Sequence, residues 1–552
     1  ALLANTTGAL NVAVGASALL ANTTANHNTA IGGQSLFSNT TGYANTAVGY
    51  NALCTHTTGN SNTAVGDNTM RLTTTGTFNV AVGDNALCAN TTASSNVAIG
   101  RNTLFANTTG TENVGVGSLS LNANTTGNYN VAVGANSLSA NTTADNNVGI
   151  GVAALLTNIT GAVNTAVGRS ALRLNTTGGG NTATGCGALC ANTTGAGNTA
   201  NGLEAMKKNT TGTSNVAIGS SALTCNTTAD CNIAIGQSAL FINSTGASNT
   251  AVGTRSMQCN TTADFNTAMG SCALFANTTG TKGVAIGSGA LDANTTANEN
   301  TAVGYESLTT NTTGGGLTAL GEGSLACNTT GSSNTAAGRS ALKANTTGAR
   351  NSAVGQNALT ANTTAADNTA VGFNALTTNT TGTTSTAIGA YAGQALTTGN
   401  GTFIGKNAGY NATTGVNNVA VGLSAGNDVF NIITESNRIV LSNNSATNAY
   451  IKIDWTVTSD KRDKTEIENV PHGLDFVNQL KPVSFKFKKS RENSIAHGLK
   501  KYGFLAQDIL ELEGDNNVII DNEQPELLKL TNSHLIPVLV NAIKELKAEI
   551  EL

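Results

Sequence analysis

A period of 17 residues governs most of this chain. The glycine closing the motif N-T-A-V-G recurs at Gly15, Gly32, Gly49, Gly66 and onward to Gly389, in 22 intervals of 17 without one deviation. Gly405 follows after 16 residues and Gly422 after 17. A spacing held this strictly is a geometric constraint: each period is one rung, stacked on the last. Seventeen is a poor multiple of 3.6, and the Thr, Asn and Gly that fill the period disfavour helix. Alternation over T-A-V predicts a short strand with two distinct faces, and Gly and the T-T-G segment supply the corners. The expected fold is an all-β repeat rod. It is a β-solenoid or β-roll of about 24 rungs, roughly 115 Å long at about 4.8 Å per rung.

Two columns carry steric information. The residue two before the key glycine is Ala or Gly in all 23 rungs, as at Ala13, Ala30, Gly115, Gly149 and Ala387. Such uniform smallness implies that another backbone or chain lies close. We expect this column to be where neighbouring chains touch. The residue four after the glycine is Leu or Met in all 22 rungs from Gly15 to Gly372 (Leu19, Leu53, Met70, Met206, Leu376), which predicts a buried column. One Leu and one Ala per rung bury little area, so lateral association of several chains is expected.

Asparagine forms two further columns. Asn precedes the key glycine by four in 20 of 23 rungs, Gly283, Leu317 and Ser385 being the exceptions. A second column runs from Asn5 to Asn379, and 21 of its 23 positions are N-x-S/T sequons, broken at His56 and Thr73. One reading is a glycan on nearly every rung. The other is a turn whose Asn bonds its own backbone, which a structural repeat would copy anyway. The Thr columns also admit an ice-binding reading, although the Thr pairs sit beside Gly in an expected turn.

Composition narrows the function classes. Of 552 residues, 11% are charged and 4% aromatic, far below a globular enzyme of this size, while 39% are hydrophobic, too many for a disordered chain. A net charge of −4 gives no nucleic-acid footprint, and no apolar run approaches a membrane span. The nine cysteines, Cys54 to Cys327, all lie in the repeat. They read as small buried substitutes for Ala or Ser, with cross-chain bridges left open. No His/Cys spacing fits zinc, and no cofactor is expected. The chain opens at Ala1 inside a repeat with no initiator Met or signal peptide, so an anchor beyond it is expected.

Composition changes after residue 422: 34 of the 58 charged residues, all four Pro and the only Trp (Trp455) fall in the remainder. We divide the chain into a repeat shaft (1–422), a β-rich transition (423–454) and a small α+β domain (455–552). In the last, Ser459-Asp460-Lys461-Arg462-Asp463-Lys464 is followed by LKPVSFKF, by GFLAQ and by a terminal segment in which Ile536, Leu539, Ile543, Leu546 and Ile550 alternate steps of three and four. That is a heptad seam, so a coiled coil with counterpart chains is expected; a single amphipathic helix on its own domain is the alternative.

The N-T-A-V-G rungs resemble the head repeats of trimeric autotransporter adhesins, which read N-S-V-A-I-G, and still more the repeat arrays of tail-fibre-like proteins. That resemblance implies three parallel chains. The order S-D-x-R-x-K, L-x-P-V-x-F-x-F, G-F-x-A-Q, terminal helix resembles the intramolecular chaperone domain of the peptidase S74 family. This family resemblance implies trimeric assembly, templating of the upstream β-rod and self-cleavage just before the Ser. Ser459 matches the nucleophile, Lys464 its base, and Thr458–Ser459 the scissile bond. A Ser hydroxyl needs a base, and a Lys amine of depressed pKa can serve. Lys461 and Arg462 are expected to favour the neutral amine and Asp463 to oppose it. An exposed charged loop without chemistry is the plainer reading of the hexapeptide.

The expected function is the shaft of a homotrimeric extracellular or virion fibre, with a C-terminal domain that trimerises the chain, templates folding and cuts once. The alternative is an adhesin whose repeat face binds receptor or glycan multivalently. A polysaccharide-cleaving enzyme is disfavoured because no acid/base constellation recurs in the shaft.

Overall fold

The protein is described from a computed structural model. It covers residues 1–427, 432–443, 445–446, 450, 452, 458–488, 494–515, 517–523, 525–526 and 528–551. Trp455 and much of the expected closing segment up to Asp454 lie outside the described residues. The chain divides into two compact units, Ala1–Thr383 and Thr384–Leu552.

The first unit is a parallel β-solenoid. Its 22 strands, β1 (Val12–Val14) to β22 (Thr369–Val371), each span three residues, one per rung. Neighbouring strands pair in parallel with an offset of one period, so that Thr29, Ala30 and Ile31 face Thr46, Ala47 and Val48. Backbone bonds run along the axis outside the strands too, as from Leu53 N–H to Thr69 C=O (3.0 Å).

The key glycine closes the strand in a conformation that only Gly adopts freely. Gly49 has φ +139°, and a Cβ there would lie 2.2 Å from the Gly66 carbonyl oxygen. The close backbone approach therefore falls on the glycine itself.

The Leu/Met column is buried as expected: Leu19, Leu53, Met70 and Met206 are fully enclosed. These residues also sit in the left-handed region, with φ of 51° at Leu19, 52° at Leu53 and 50° at Met70. That conformation costs an L-residue about 1–2 kcal/mol. Burying a Leu or Met returns about 1.5–3 kcal/mol. A β-branched side chain tolerates left-handed backbone least, which explains why Val and Ile never occupy the column.

The small-residue column corrects one expectation. Ala30, Ala47, Ala64 and their equivalents are fully buried within a single chain. They face the solenoid's own lumen, so they cannot be where chains touch. Their smallness answers to the preceding rung: a Cβ on Gly115 would lie 2.6 Å from Thr103 Cγ2, and one on Gly149 2.6 Å from Ser137 Oγ. At these two rungs the facing residue is Thr or Ser rather than Ala; an Ala is also accommodated opposite Ser, as at Ala268, whose C=O accepts from Ser256 Oγ (3.2 Å).

Of the two columns that the strands turn outward, the one before the key glycine is apolar in 21 of 23 rungs, broken at Thr184 and Asn201, and the one three before it is Thr or Ser in 14 of 23. Residues flanking the buried Ala, such as Val97 and Ile99, Val216 and Ile218, or Ile233 and Ile235, lie half-buried to exposed on the outer sheet face. Ile99 is 41% and Ile218 40% exposed. The lumen meanwhile holds both Asn columns. Asn192 Nδ2 donates to Asn175 Oδ1 (2.8 Å) and to Gly195 C=O (2.9 Å). In the other column Asn198 N–H donates to Asn181 Oδ1 (3.0 Å), and its Nδ2 donates to Gly212 C=O (2.8 Å). Where Asn is missing, the backbone donor survives: Gly283 N–H reaches Asn266 Oδ1 at 2.7 Å. The sequon asparagines from Asn22 to Asn379 are thus interior, with their amides engaged. A glycan on Nδ2 is incompatible with the folded rung.

The second unit begins with parallel strands β23 (Thr386–Ile388), β24 (Gly401–Ile404), β25 (Asn418–Val421) and β26 (Ile439–Leu441). Here the lumen is filled differently. Phe403 takes the Ala position and is fully buried, while Gly409 replaces the usual Leu. A Cβ on Gly409 would lie 2.2 Å from the Phe403 ring. The α+β region that follows contains helix α1 (Leu474–Gln479), the antiparallel pair β27 (Val483–Lys488) and β28 (Ala496–Gly503), and helix α2 (Ala506–Glu513). A short pair, β29 (Ile520–Asp521) and β30 (Lys529–Leu530), leads to the terminal helix α3 (Leu535–Glu551). Its core joins Phe476, Ile509, Ile519, Ile520, Leu535 and Val538. Glu513 is buried and accepts backbone bonds from Val518, Ile519 and Ile520 at 2.9, 2.6 and 2.9 Å.

Candidate functional site: the Ser459–Lys464 pair

The charged hexapeptide folds locally. Asp460 caps a single 3-10 turn, Lys461–Asp463, by accepting from Arg462 N–H at 2.9 Å. The turn closes when Lys464 N–H donates to Lys461 C=O (3.3 Å). This turn brings the ends of the motif together: Lys464 Nζ donates to Ser459 Oγ at 2.6 Å. The two residues that sequence reasoning singled out are therefore in direct contact.

Arg462 behaves differently from expectation. Its guanidinium forks onto Asp460, Nε to Oδ1 at 3.1 Å and Nη2 to Oδ2 at 2.5 Å. The Arg462 side chain, then its backbone N–H, hold the Asp460 carboxyl below its usual range, and Asp460 raises Arg462 in turn. The Arg462 charge is spent on Asp460 rather than left free to act on Lys464. Asp463 makes no ion pair among the described residues. The Asp460 clamp was missed in the sequence, where the hexapeptide's plainer reading was an exposed charged loop.

Chemically the pair has the parts of a Ser/Lys dyad. In the observed hydrogen bond the nitrogen is the donor. General-base catalysis needs the reverse, a neutral amine accepting the hydroxyl proton. Residues 458–464 are all exposed. Among the described residues no group of His, Cys, Asp and Glu could hold a metal ion.

A groove of about 780 Å³ is lined by residues that include Glu466, Val470, His472, Asp515, Ile519 and Val538, and includes neither Ser459 nor Lys464. Helix α3 divides its own surface. Leu535, Val538 and Ala542 pack on the domain, whereas Ile536, Leu539, Ile543, Leu546 and Ile550 are exposed, Ile543 at 67%. The heptad seam and the domain-packing face are different stripes of one helix.

Residues 459–518 match the family model peptidase S74, described as chaperone of endosialidase. The match begins at Ser459 itself. No curated protein matches the chain. The chain thus joins a long β-solenoid of 17-residue rungs to a C-terminal chaperone domain of the endosialidase type. No described helix is long and apolar enough to cross a membrane.

Proposed function

We propose that the chain is the shaft of a homotrimeric fibre, at an extracellular or virion surface, assembled by its own C-terminal domain. Residues 1–422 form the shaft, 423–454 a transition and 455–552 the chaperone. The observation that carries this reading is the uncovered outer face of the shaft's parallel sheet. Parallel sheets occur almost only with both faces covered. Here one face is covered by the lumen, and the other exposes an aliphatic column that includes Val82, Ile99 and Val133. A largely apolar column of this kind, interrupted at Thr184 and Asn201, marks an interaction surface. A second copy of the chain has the same stripe at the same 17-residue repeat. The exposed seam of α3 offers a second, separate place for copies to meet.

The chaperone domain answers a physical difficulty. Rungs this alike make a slip of one rung between chains cheap, and a parallel β-rod has no strong local nucleus. A C-terminal clamp would set the register before the shaft closes. Packing of copies would also dehydrate the Ser459–Lys464 turn. Ser459 Oγ would attack the Thr458 carbonyl carbon, its proton passing to Lys464, which returns it to the Ser459 nitrogen as the Thr458–Ser459 C–N bond breaks; water then hydrolyses the resulting ester, leaving a Thr458 carboxyl and the free Ser459 hydroxyl and amine. Apart from this single cut, no activity on another substrate is assigned. The adhesin reading would draw on exposed Tyr43, Phe78, Tyr129 and Phe265; the last three share one repeat position but stand three and eight rungs apart, so no aromatic row is continuous.

Native mass measured by light scattering tests the proposal. Three chains per particle are expected. Ile218→Lys with Ile235→Lys is expected to reduce shaft association while leaving strand content unchanged. A monodisperse single-chain particle with a fully folded shaft would refute the proposal.

A further inference from the structure

The Asn ladder that lines the lumen is interrupted once by a titratable residue. At His56 the imidazole takes the place of a carboxamide and is fully buried. Its Nε2 contacts Gly59 C=O at 2.7 Å, the bond a ladder Asn makes with one amide hydrogen. A carboxamide has a second hydrogen for the preceding rung, as Asn39 Nδ2 shows by donating to both Gly42 C=O (2.9 Å) and Asn22 Oδ1 (3.1 Å). The imidazole nitrogen has none to spare. Asn39 Oδ1 and His56 Nδ1 are consequently both buried without a partner.

We propose that His56 is a buried proton-binding position that makes its stretch of the shaft acid-labile. No charge faces the ring. The titratable groups on its own and the flanking rungs are Tyr43, Tyr50, Cys54, Asp67 and Arg71. Both Tyr, Asp67 and Arg71 are exposed and Cys54 is half-buried, on outward-turned positions. The column neighbours Asn39 and Thr73 are neutral. Burial, only partly offset by the Gly59 carbonyl, holds the imidazole below its ordinary value of 6.5. The sign follows from linkage. Below pH 6.5 the opened rung binds a proton that the closed rung resists, so acid favours opening. The opening constant should rise roughly tenfold per pH unit below 6.5, until the closed form itself titrates.

Hydrogen exchange of the full chain tests this, with protection compared between pH 7.5 and 5.0 after correction for intrinsic rates. The rungs spanning 33–83 should lose protection in acid relative to rungs elsewhere in the shaft, up to about thirtyfold, the limit set by the interval from pH 6.5 to 5.0. His56→Asn should abolish that acid component. Thr73→Asn, which repairs the neighbouring rung without removing the imidazole, should raise protection at both pH values and keep the acid component. Equal pH responses across the shaft, or an acid loss that persists in His56→Asn, overturns the proposal.

Discussion

Substituting Asn192 by Ala separates the two meanings of the sequon column. The side chain makes three ladder bonds: to Asn175 Oδ1, to Gly195 C=O, and from Asn209 Nδ2 (2.8 Å). Gly195 C=O keeps a second donor, Asn181 Nδ2 at 2.9 Å. Asn175 Oδ1 and one hydrogen of Asn209 are left buried and unpaired. Each such orphan costs about 1–3 kcal/mol, so a loss of about 2–5 kcal/mol is expected. The control is Thr194→Ala, which destroys the same sequon. Thr194 is exposed, and its effect should stay within about 0.5 kcal/mol. A solenoid opens rung by rung, so the assay is hydrogen exchange in residues 186–219 rather than a global melting temperature. Equal destabilisation by the two variants, or none from Asn192→Ala, would refute the ladder argument.

Three further outcomes follow from the geometry. Phe403→Ala should cost about 3–5 kcal/mol. Adding Gly409→Leu, which rebuilds the ordinary lumen, should recover most of that loss in a double-mutant cycle. Glu513→Ala strands the amides of Val518, Ile519 and Ile520 and should cost about 3 kcal/mol or more, read as lost exchange protection in those residues. Intact mass under denaturing conditions should show wild-type fragments ending at Thr458, and only full-length chains for Ser459→Ala and Lys464→Met; a full-length wild-type chain would sink the self-cleavage reading.

Much of the fold was legible because the period is a geometric statement. Strand position, corner glycines and the buried Leu/Met column all follow from where residue types recur. The inside and outside of the strand did not follow. A column of Ala reports crowding but not whose atoms do the crowding, and the lumen proved to be the crowd. Asn192 and its equivalents admitted both a glycan and a turn reading; the bond from Asn192 to Gly195 C=O bears out the turn, while the amide ladder that links the rungs was not legible, because buried Asn is uncommon unless every amide is paired. Left-handed Leu19 and Leu53 were illegible, since nothing in composition marks Leu for positive φ. At the candidate site the Ser459–Lys464 contact was readable from the motif. The Asp460–Arg462 clamp was not, because it depends on a turn of only three residues.

The rung-to-rung bonding has a consequence for how such a chain can change over generations. Each rung asks only that its neighbours be rungs. Removing or duplicating 17 consecutive residues among β1 to β22 leaves the remaining ladders able to close again. Shaft length is therefore quantised in steps of about 4.8 Å and open to recombination between near-identical segments. The Phe403–Gly409 rung is exempt, because no other described rung repeats its lumen filling. A lineage carrying this gene can lengthen or shorten its reach in single-rung increments and leave that segment untouched.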